Sequence, residues 1–302
     1  MAHHVTFTLY GDQMNFLQFF GTLLFSICGL AHSASTADVK VKTVGLGYSG
    51  GLTPAEVPAK LTLPDGEKLP AVVIVHGSAG PDSRGTFHSE YLVSNGFAIL
   101  ELDMWAARGV TGFNQRPRTT LDTLPDIWGA WLFLSEHPKI NKDKIAIVGF
   151  SWGGVNAVTT AFGKKPKDSP QTLAQAKFAA HVAFYPVCDI WLKNGIASRV
   201  VDQSNPTGAP IQIHNGTKDD YDTSPDVCER LKTAHPKMPL EVFMYEGASH
   251  GFDSANSQPI QFYDPVAKNG KGGQVVLVGQ DRAKNQSKES VLPFLKKHLQ
   301  GN

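Results

Sequence analysis

The stretch Gly149-Phe150-Ser151-Trp152-Gly153-Gly154 constrains the fold of this chain more than any other. It follows Lys144-Ile145-Ala146-Ile147-Val148, an apolar run that reads as a buried strand. It leads directly into Val155-Asn156-Ala157-Val158-Thr159-Thr160-Ala161, whose small residues read as a helix. A serine between two such elements sits on a sharp strand-to-helix turn that pushes its hydroxyl out past the sheet edge. Flanking glycines permit the turn because a Cβ there would strike neighbouring backbone. The helix that follows aims its first amides at the serine, where they favour a developing negative charge. Ser151 is therefore the candidate nucleophile.

The rest of the chain alternates strand and helix. Residues 71–75 (AVVIV) form a run of the kind that parallel strands covered on both faces require. Residues 86–94 read as a helix closed by Asn95-Gly96, and 97–102 as the next strand, ending at Asp103. A second helix is expected from Thr123, as N-cap, with Pro125 just inside; Leu124, Ile127, Trp128, Trp131 and Leu132 make its core stripe and His137-Pro138 its end. Residues 145–150, 182–185, 211–214 and 240–245 supply further strands, and 287–299 a last helix with Pro293 inside it. Residues 39–63 read as leading antiparallel strands before a turn at Pro64-Asp65-Gly66. This order predicts an α/β fold, a mainly parallel doubly wound sheet with helices on both faces. Residues 253–286 read as a long irregular stretch with a short strand at 275–278, and a loop of that length near a site shapes access to it.

With 41% hydrophobic and 18% charged residues, the 302-residue chain has the make-up of a folded enzyme and not of a disordered protein. A net charge of +1 gives no reason to expect nucleic acid or an anionic membrane surface as a partner, and Lys164-Lys165-Pro166-Lys167 reads as a surface loop. Residues 16–30 (FLQFFGTLLFSICGL) have the length of a signal-peptide core and fall short of a bilayer span; the small residues of Ala31-His32-Ser33-Ala34-Ser35 suit cleavage. Residues 1–34 are therefore expected to be a signal peptide with an upstream extension, although no Lys or Arg precedes Lys40, and residues 35–302 the folded domain. Export to a periplasm or to the outside follows, with no stable membrane association once the leader is gone. Cleavage would leave two of the three cysteines, Cys188 and Cys228. An oxidising compartment permits a bridge between them, and the alternative is two separate buried thiols.

A serine on such an elbow needs a base and an acid, which follow it in chain order as Asp or Glu and then His. The strand ending in Ile211-Gln212-Ile213-His214-Asn215-Gly216-Thr217-Lys218-Asp219-Asp220 presents two aspartates; Asp219 is expected as the acid and Asp220 as a solvated neighbour or turn cap. His250, in the Gly-rich turn Tyr245-Glu246-Gly247-Ala248-Ser249-His250-Gly251, has the order and setting of the base. His76, His181 and His214 lie in or beside strands, where a structural histidine is the default. The oxyanion hole calls for two backbone amides: that of Trp152, and one from the small-residue loop His76-Gly77-Ser78-Ala79-Gly80, with Ser78 the choice and Ala79 next. Neither H-E-x-x-H nor paired C-x-x-C occurs, so no metal is expected, and the absence of G-x-G-x-x-G after the first parallel strand gives no support for a dinucleotide.

The segments VVIVHGSAG, LELDMWAARGV, GFSWGG, NGTKDD and YEGASHGFD, spread over residues 71–253, resemble the dienelactone hydrolase family of α/β-hydrolases. The resemblance implies a cofactor-independent hydrolase of small-molecule esters or lactones that works through an acyl-enzyme. The best-known members carry a cysteine where this chain has Ser151, as esterase relatives do. They hold a substrate carboxylate with two arginines. Arg108 resembles the first, Ser254 stands at the place of the second, and their glutamate near the first parallel strand has no counterpart in His76-Gly77-Ser78. Arg108 is thus expected either to bind an anionic substrate group or to pair with Asp103 or Glu101. Trp105, Trp152 and Phe252 are expected to line an apolar acyl or alcohol pocket. Two other readings share the residue order: a peptidase of the prolyl-oligopeptidase type, whose propeller this chain has no room for, and a silent hydrolase fold that binds a ligand.

Overall fold

The structure, a computed structural model, describes residues 34–112, 115–192 and 195–301. The expected leader lies almost wholly outside them. The sheet is built on period-two sequences. In β3 (Leu69–Val75), Ala71, Val73 and Val75 join one buried cluster and Val72 and Ile74 the other. In β5 (Ile140–Phe150), Ile145 and Ile147 go to the first face, and Ala146, Val148 and Phe150 to the second. Both faces of these strands are covered, which is why their sequences are continuously apolar.

Eight strands form the sheet in the order β1-β2-β4-β3-β5-β6-β7-β8. β1 (Ser35–Lys42) and β2 (Glu56–Leu63) pair antiparallel at one edge, and β2 pairs antiparallel with β4 (Ala98–Leu102). From β4 onward every pairing is parallel, through β3, β5, β6 (Ala180–Phe184), β7 (Ile211–Lys218) and β8 (Leu240–Ser249). One face buries Leu124, Ile127 and Trp128 of α2 (Leu124–Ser135), Val155 and Val158 of α3 (Trp152–Ala161), and Leu231 of α4 (Val227–Ala234). The other buries Leu92 of α1 (Ser83–Val93). This is the expected fold. The chain steps from β3 outward to β4, then returns to the far side of β3 as β5. The order reverses there, and a crevice opens at the carboxyl ends of β3 and β5. The loop beginning at His76 and the turn at Ser151 meet in it.

Three local expectations are corrected. Thr123 does not cap α2 with its side chain; the cap lies earlier, where Thr119 and Asp122 form a capping box at the head of a 3-10 turn, Thr120–Thr123. The turn feeds straight into the helix, so Thr123 is interior and fully buried. The last helix, α6, starts at Asp281 and runs to Leu295 on the second face, earlier than the apolar spacing suggests because its first turns are polar. Residues 253–286 are not merely irregular: β9 (Ile260–Asp264) and β10 (Gly273–Leu277) pair antiparallel around the single turn α5 (Ala267–Gly270). Leu277 bridges to His250, which docks this hairpin beside the end of β8. Among the described residues no helix is long and apolar enough to cross a membrane.

Candidate active site

Ser151 stands between β5 and α3 at φ 51° and ψ −106°, a strained conformation for a non-glycine residue. The surroundings hold it there. Its amide donates to Phe184 O at 3.0 Å and its carbonyl accepts from the amide of Val155 at 2.8 Å. The flanking glycines are steric necessities: a Cβ on Gly149 would lie 2.0 Å from Gly153 O, and one on Gly153 2.1 Å from Val75 O. The elbow is therefore wedged between β5, its own helix and the end of β3.

His250 Nε2 lies 2.8 Å from Ser151 Oγ, and His250 Nδ1 lies 2.8 Å from Asp219 Oδ2. In the neutral ring the Nδ1–H donates to the carboxylate and Nε2 is left to accept the serine proton. The second oxygen of Asp219 accepts the Tyr221 amide at 2.9 Å, which fixes the carboxylate plane. Asp220, by contrast, accepts the Val276 amide at 2.9 Å and so ties the loop after β7 to the β9–β10 hairpin. Asp219 and His250 are both buried, as an orienting acid and its base require.

The loop after β3 is clamped from below. His76 Nε2 accepts the Met104 amide at 3.1 Å, which puts the proton on Nδ1, where it donates to Gly77 O at 2.7 Å. Burial lowers the His76 pKa to about 4, so this link stays neutral and intact at ordinary pH. Ser78 lines a cavity of about 290 Å³ beside Ser151, and Trp152, Val155, Val187, Ile190 and Tyr221 line it too. The amide of Trp152 opens α3, where first-turn N–H groups have no partner inside the helix. Both residues expected to supply oxyanion amides thus border the cavity that holds the serine.

The substrate-pocket expectations fare differently. Trp152 is on the cavity wall, its indole held by an Nε1–H bond of 3.0 Å to Thr123 Oγ1. Trp105 is buried behind the loop, donating from Nε1 to Ser78 O at 3.0 Å, so it supports the loop and does not line the cavity. Phe252 is fully buried against Tyr185 and Tyr245, in the core of the second face. Arg108 is corrected as well. Its guanidinium forks onto Asp126 at 2.6 and 3.0 Å and reaches the carbonyls of Met104 and Asp122, with a side chain 4% exposed. It is a buried tie between the loop after β4 and α2, and its partner is neither Asp103 nor Glu101. The arginines that do border the cavity are Arg116 and Arg118, with Arg116 placed 6.0 Å over the Trp152 ring.

Sequence reading also passed over the groups that surround His250. Tyr185 and Tyr221 place their rings 4.6 and 4.3 Å from it. Asp253, fully buried, accepts Tyr185 Oη–H at 2.6 Å and His88 Nε2–H at 3.1 Å. Burial would raise its pKa, but the hydrogen bond and charge of His88, with Arg84 and Tyr185, hold it below the usual value. Tyr185 could have been suspected from its place directly after a strand at the sheet's carboxyl edge; nothing local marks His88. Cys188 and Cys228 are joined by a disulfide. With Asp222 they are a trio of possible metal-ligand side chains among the described residues, and the bridge consumes both sulfurs.

Comparison with known proteins agrees with this architecture. A sequence model of the dienelactone hydrolase family matches residues 57–299. A curated protein of Bradyrhizobium sp, named "Probable 2-oxo-3-(5-oxofuran-2-ylidene)propanoate lactonase", is 25% identical over 195 residues, which span 61% of this chain and 74% of that one. Among solved structures, esterase 2 of Thermogutta terrifontis, phosphorylated by paraoxon, superposes with a TM-score of 0.57 at 18% identity, covering 86% of this chain and 94% of its own. P91, a dienelactone hydrolase-like promiscuous phosphotriesterase from metagenomic libraries, gives 0.57 at 16% identity over 88% and 98%.

Proposed function

The chain belongs to the dienelactone hydrolase family, and on that premise we propose that it hydrolyses small to medium carboxylic esters or lactones through a Ser151–His250–Asp219 triad. The observation that carries the reading is the unbroken 2.8 Å and 2.8 Å chain from Ser151 Oγ through the imidazole to Asp219. As Ser151 Oγ bonds to the ester carbonyl carbon, its proton passes to His250 Nε2. The carbonyl oxygen becomes an oxyanion beside the amides of Trp152 and Ser78. The intermediate collapses by breaking the bond to the alcohol oxygen, which takes the proton from His250, and an acyl-Ser151 remains. Water then adds to the acyl carbon while His250 accepts its proton. Expulsion of Ser151 Oγ, reprotonated by His250, releases the acid. For a lactone the freed alcohol stays tethered to the acyl group throughout, and the product is a single hydroxy acid.

The cavity supports substrates of limited size with an apolar part, since Val155, Val187, Ile190 and Trp152 make much of its wall. The cleaved leader proposed for residues 1–34 makes the enzyme an exported one, a setting in which the Cys188–Cys228 bridge persists. The test is hydrolysis of p-nitrophenyl acetate and butyrate together with fluorophosphonate labelling. Wild type should turn over at least one ester and be labelled at Ser151, and Ser151→Ala should lose both, with turnover down by ~10³-fold or more. Folded wild type that is neither labelled nor active on a broad ester panel would leave the silent-binder reading in its place.

A further inference from the structure

His250 is touched by two tyrosine rings from different parts of the chain, and each hydroxyl ends on a buried carboxylate. Tyr185, at the end of β6, lies 4.6 Å from the imidazole, centroid to centroid, and donates to Asp253 Oδ1 at 2.6 Å. Tyr221, two residues beyond the triad acid, lies 4.3 Å from it and donates to Asp264 Oδ2 at 2.8 Å. Asp253 is 0% and Asp264 3% exposed. The two hydroxyls are spent on Asp253 and Asp264, and the Ser151–His250–Asp219 chain of hydrogen bonds is complete without them. We propose that Tyr185 and Tyr221 are positioning residues that hold the His250 ring and favour its protonated form, each acting through a hydroxyl bonded to an aspartate. The proposal rests on His250 being the base of the reaction described above.

The physical argument starts from charge. His250 is neutral at rest and cationic once it has taken the serine proton. An aromatic ring attracts a nearby cation through its electron-rich face. A phenol that donates to a carboxylate is polarised towards the ring, and the low dielectric of a buried site strengthens that effect. Both hydroxyls stay protonated donors, because burial, and then the neighbouring aspartate, pushes Tyr185 and Tyr221 far above the ordinary tyrosine range. The attraction grows only when His250 becomes charged, so it lowers the barrier and does not merely tighten ground-state binding. Arg84 opposes it at one ring, with Nη1 3.4 Å from Tyr185 Oη, but that contact is much longer than the 2.6 Å bond to Asp253.

Other charged groups set the background. Asp219 faces His250 directly from the loop after β7. Arg84 of α1 approaches from the Gly251 side, 3.7 Å from where a Cβ on that glycine would lie. The charge of Asp219 is felt at buried Asp222, and that of Arg116 at Tyr221. Tyr185→Phe also removes the Arg84 contact to the Tyr185 hydroxyl, whereas Tyr221→Phe leaves that contact in place. The arrangement also gives the β9–β10 hairpin a task beyond shaping access: it delivers Asp264 to Tyr221, while Asp264 Oδ1 is anchored by the Val266 amide at 3.0 Å.

The experiment is an NMR titration of the His250 ring, assigned by comparison with His250→Asn, in wild type, Tyr185→Phe, Tyr221→Phe and Asp264→Asn. Each Phe variant should lower the titration midpoint by about half a pH unit, roughly threefold in the protonation constant. Asp264→Asn should follow Tyr221→Phe. The acid limb of kcat for p-nitrophenyl acetate should move down in step, a response that a purely structural role would not produce. A midpoint unmoved in the folded Phe variants overturns the proposal. If Tyr185→Phe does not fold, Tyr221→Phe and Asp264→Asn decide it. The titration needs no turnover, so a wild type inactive on all esters would count against the proposed reaction and leave this measurement to be read by itself.

Discussion

At the scale of single residues, two adjacent aspartates do different work. Asp219 bonds His250 and the Tyr221 amide, whereas Asp220 bonds a backbone amide of the hairpin. In the proposed triad, Asp219→Asn removes the charge that stabilises the imidazolium and allows the wrong tautomer, so ester turnover should fall by ~10³ to 10⁴-fold with the fold intact. Asp220→Asn keeps an acceptor oxygen for Val276 and should retain activity within a few-fold, at a stability cost of about 1 kcal/mol. Steady-state kinetics on the two purified variants, with circular dichroism as a folding control, separates them. Equal losses in both would remove Asp219 from its assigned role. The same local logic explains Thr123, whose hydroxyl is too useful in the interior to serve as a cap: it accepts from Trp152 Nε1 and from Asn156 Nδ2, and donates to Thr120 O. One buried hydroxyl thus orients an indole on the cavity wall.

At the scale of elements, the site depends on ties between loops and helices that touch no substrate. The Arg108–Asp126 pair joins the turn after β4 to the first turn of α2, and the two terminal guanidinium nitrogens also donate to the carbonyls of Met104 and Asp122. Removing one member of such a pair strands the other in a dry interior. Arg108→Met should therefore cost ~3–5 kcal/mol in urea unfolding, and adding Asp126→Leu should recover part of that loss by removing the orphaned carboxylate. A carboxylate-binding role would give a different pattern: normal stability and a raised KM confined to anionic esters. Asp122 makes a further tie, accepting the amides of Tyr48 and Ser49 and the Ser49 hydroxyl, so the segment after β1 is pinned to the turn that precedes α2.

At the scale of the whole molecule, stability responds to redox state and to pH. The disulfide spans 40 residues, from the turn after β6 to α4, and closure of a loop of that size restricts the unfolded chain by about 4 kcal/mol. Guanidinium unfolding of the Cys188→Ala, Cys228→Ala double variant should show most of that difference; an unchanged midpoint would mean the bridge does not constrain the unfolded chain. Burial lowers His76 to about 4, and His181 and His214 to about 3. In the unfolded chain each would take up a proton near the ordinary value of ~6.5. The unfolded state therefore binds more protons between those limits, and their contribution, fully present above pH ~6.5, is lost as pH falls towards 4 and 3. Melting temperature should stay flat from about pH 8 to 7 and drop steadily below about pH 6, as calorimetry can record. A melting temperature that rises on acidification through this window would contradict the buried neutral state of all three.

The strand–turn–helix around Ser151, the parallel sheet and the order Ser151, Asp219, His250 were legible in the amino-acid sequence alone. They rest on local rules: side chains alternate every two residues in a strand, a nucleophile elbow needs glycine where backbones touch, and triad members follow one another along the chain. The fates of Arg108, Trp105 and Phe252 were not legible, because each depends on which distant segment folds back against it. Asp126 lies 18 residues from Arg108, and Asp253 lies 68 from Tyr185. Nothing local distinguishes an arginine that faces a substrate from one that must find a carboxylate inside the protein. Only the packed structure decides, because a buried charge or hydroxyl must be paired wherever the chain happens to bring a partner within reach.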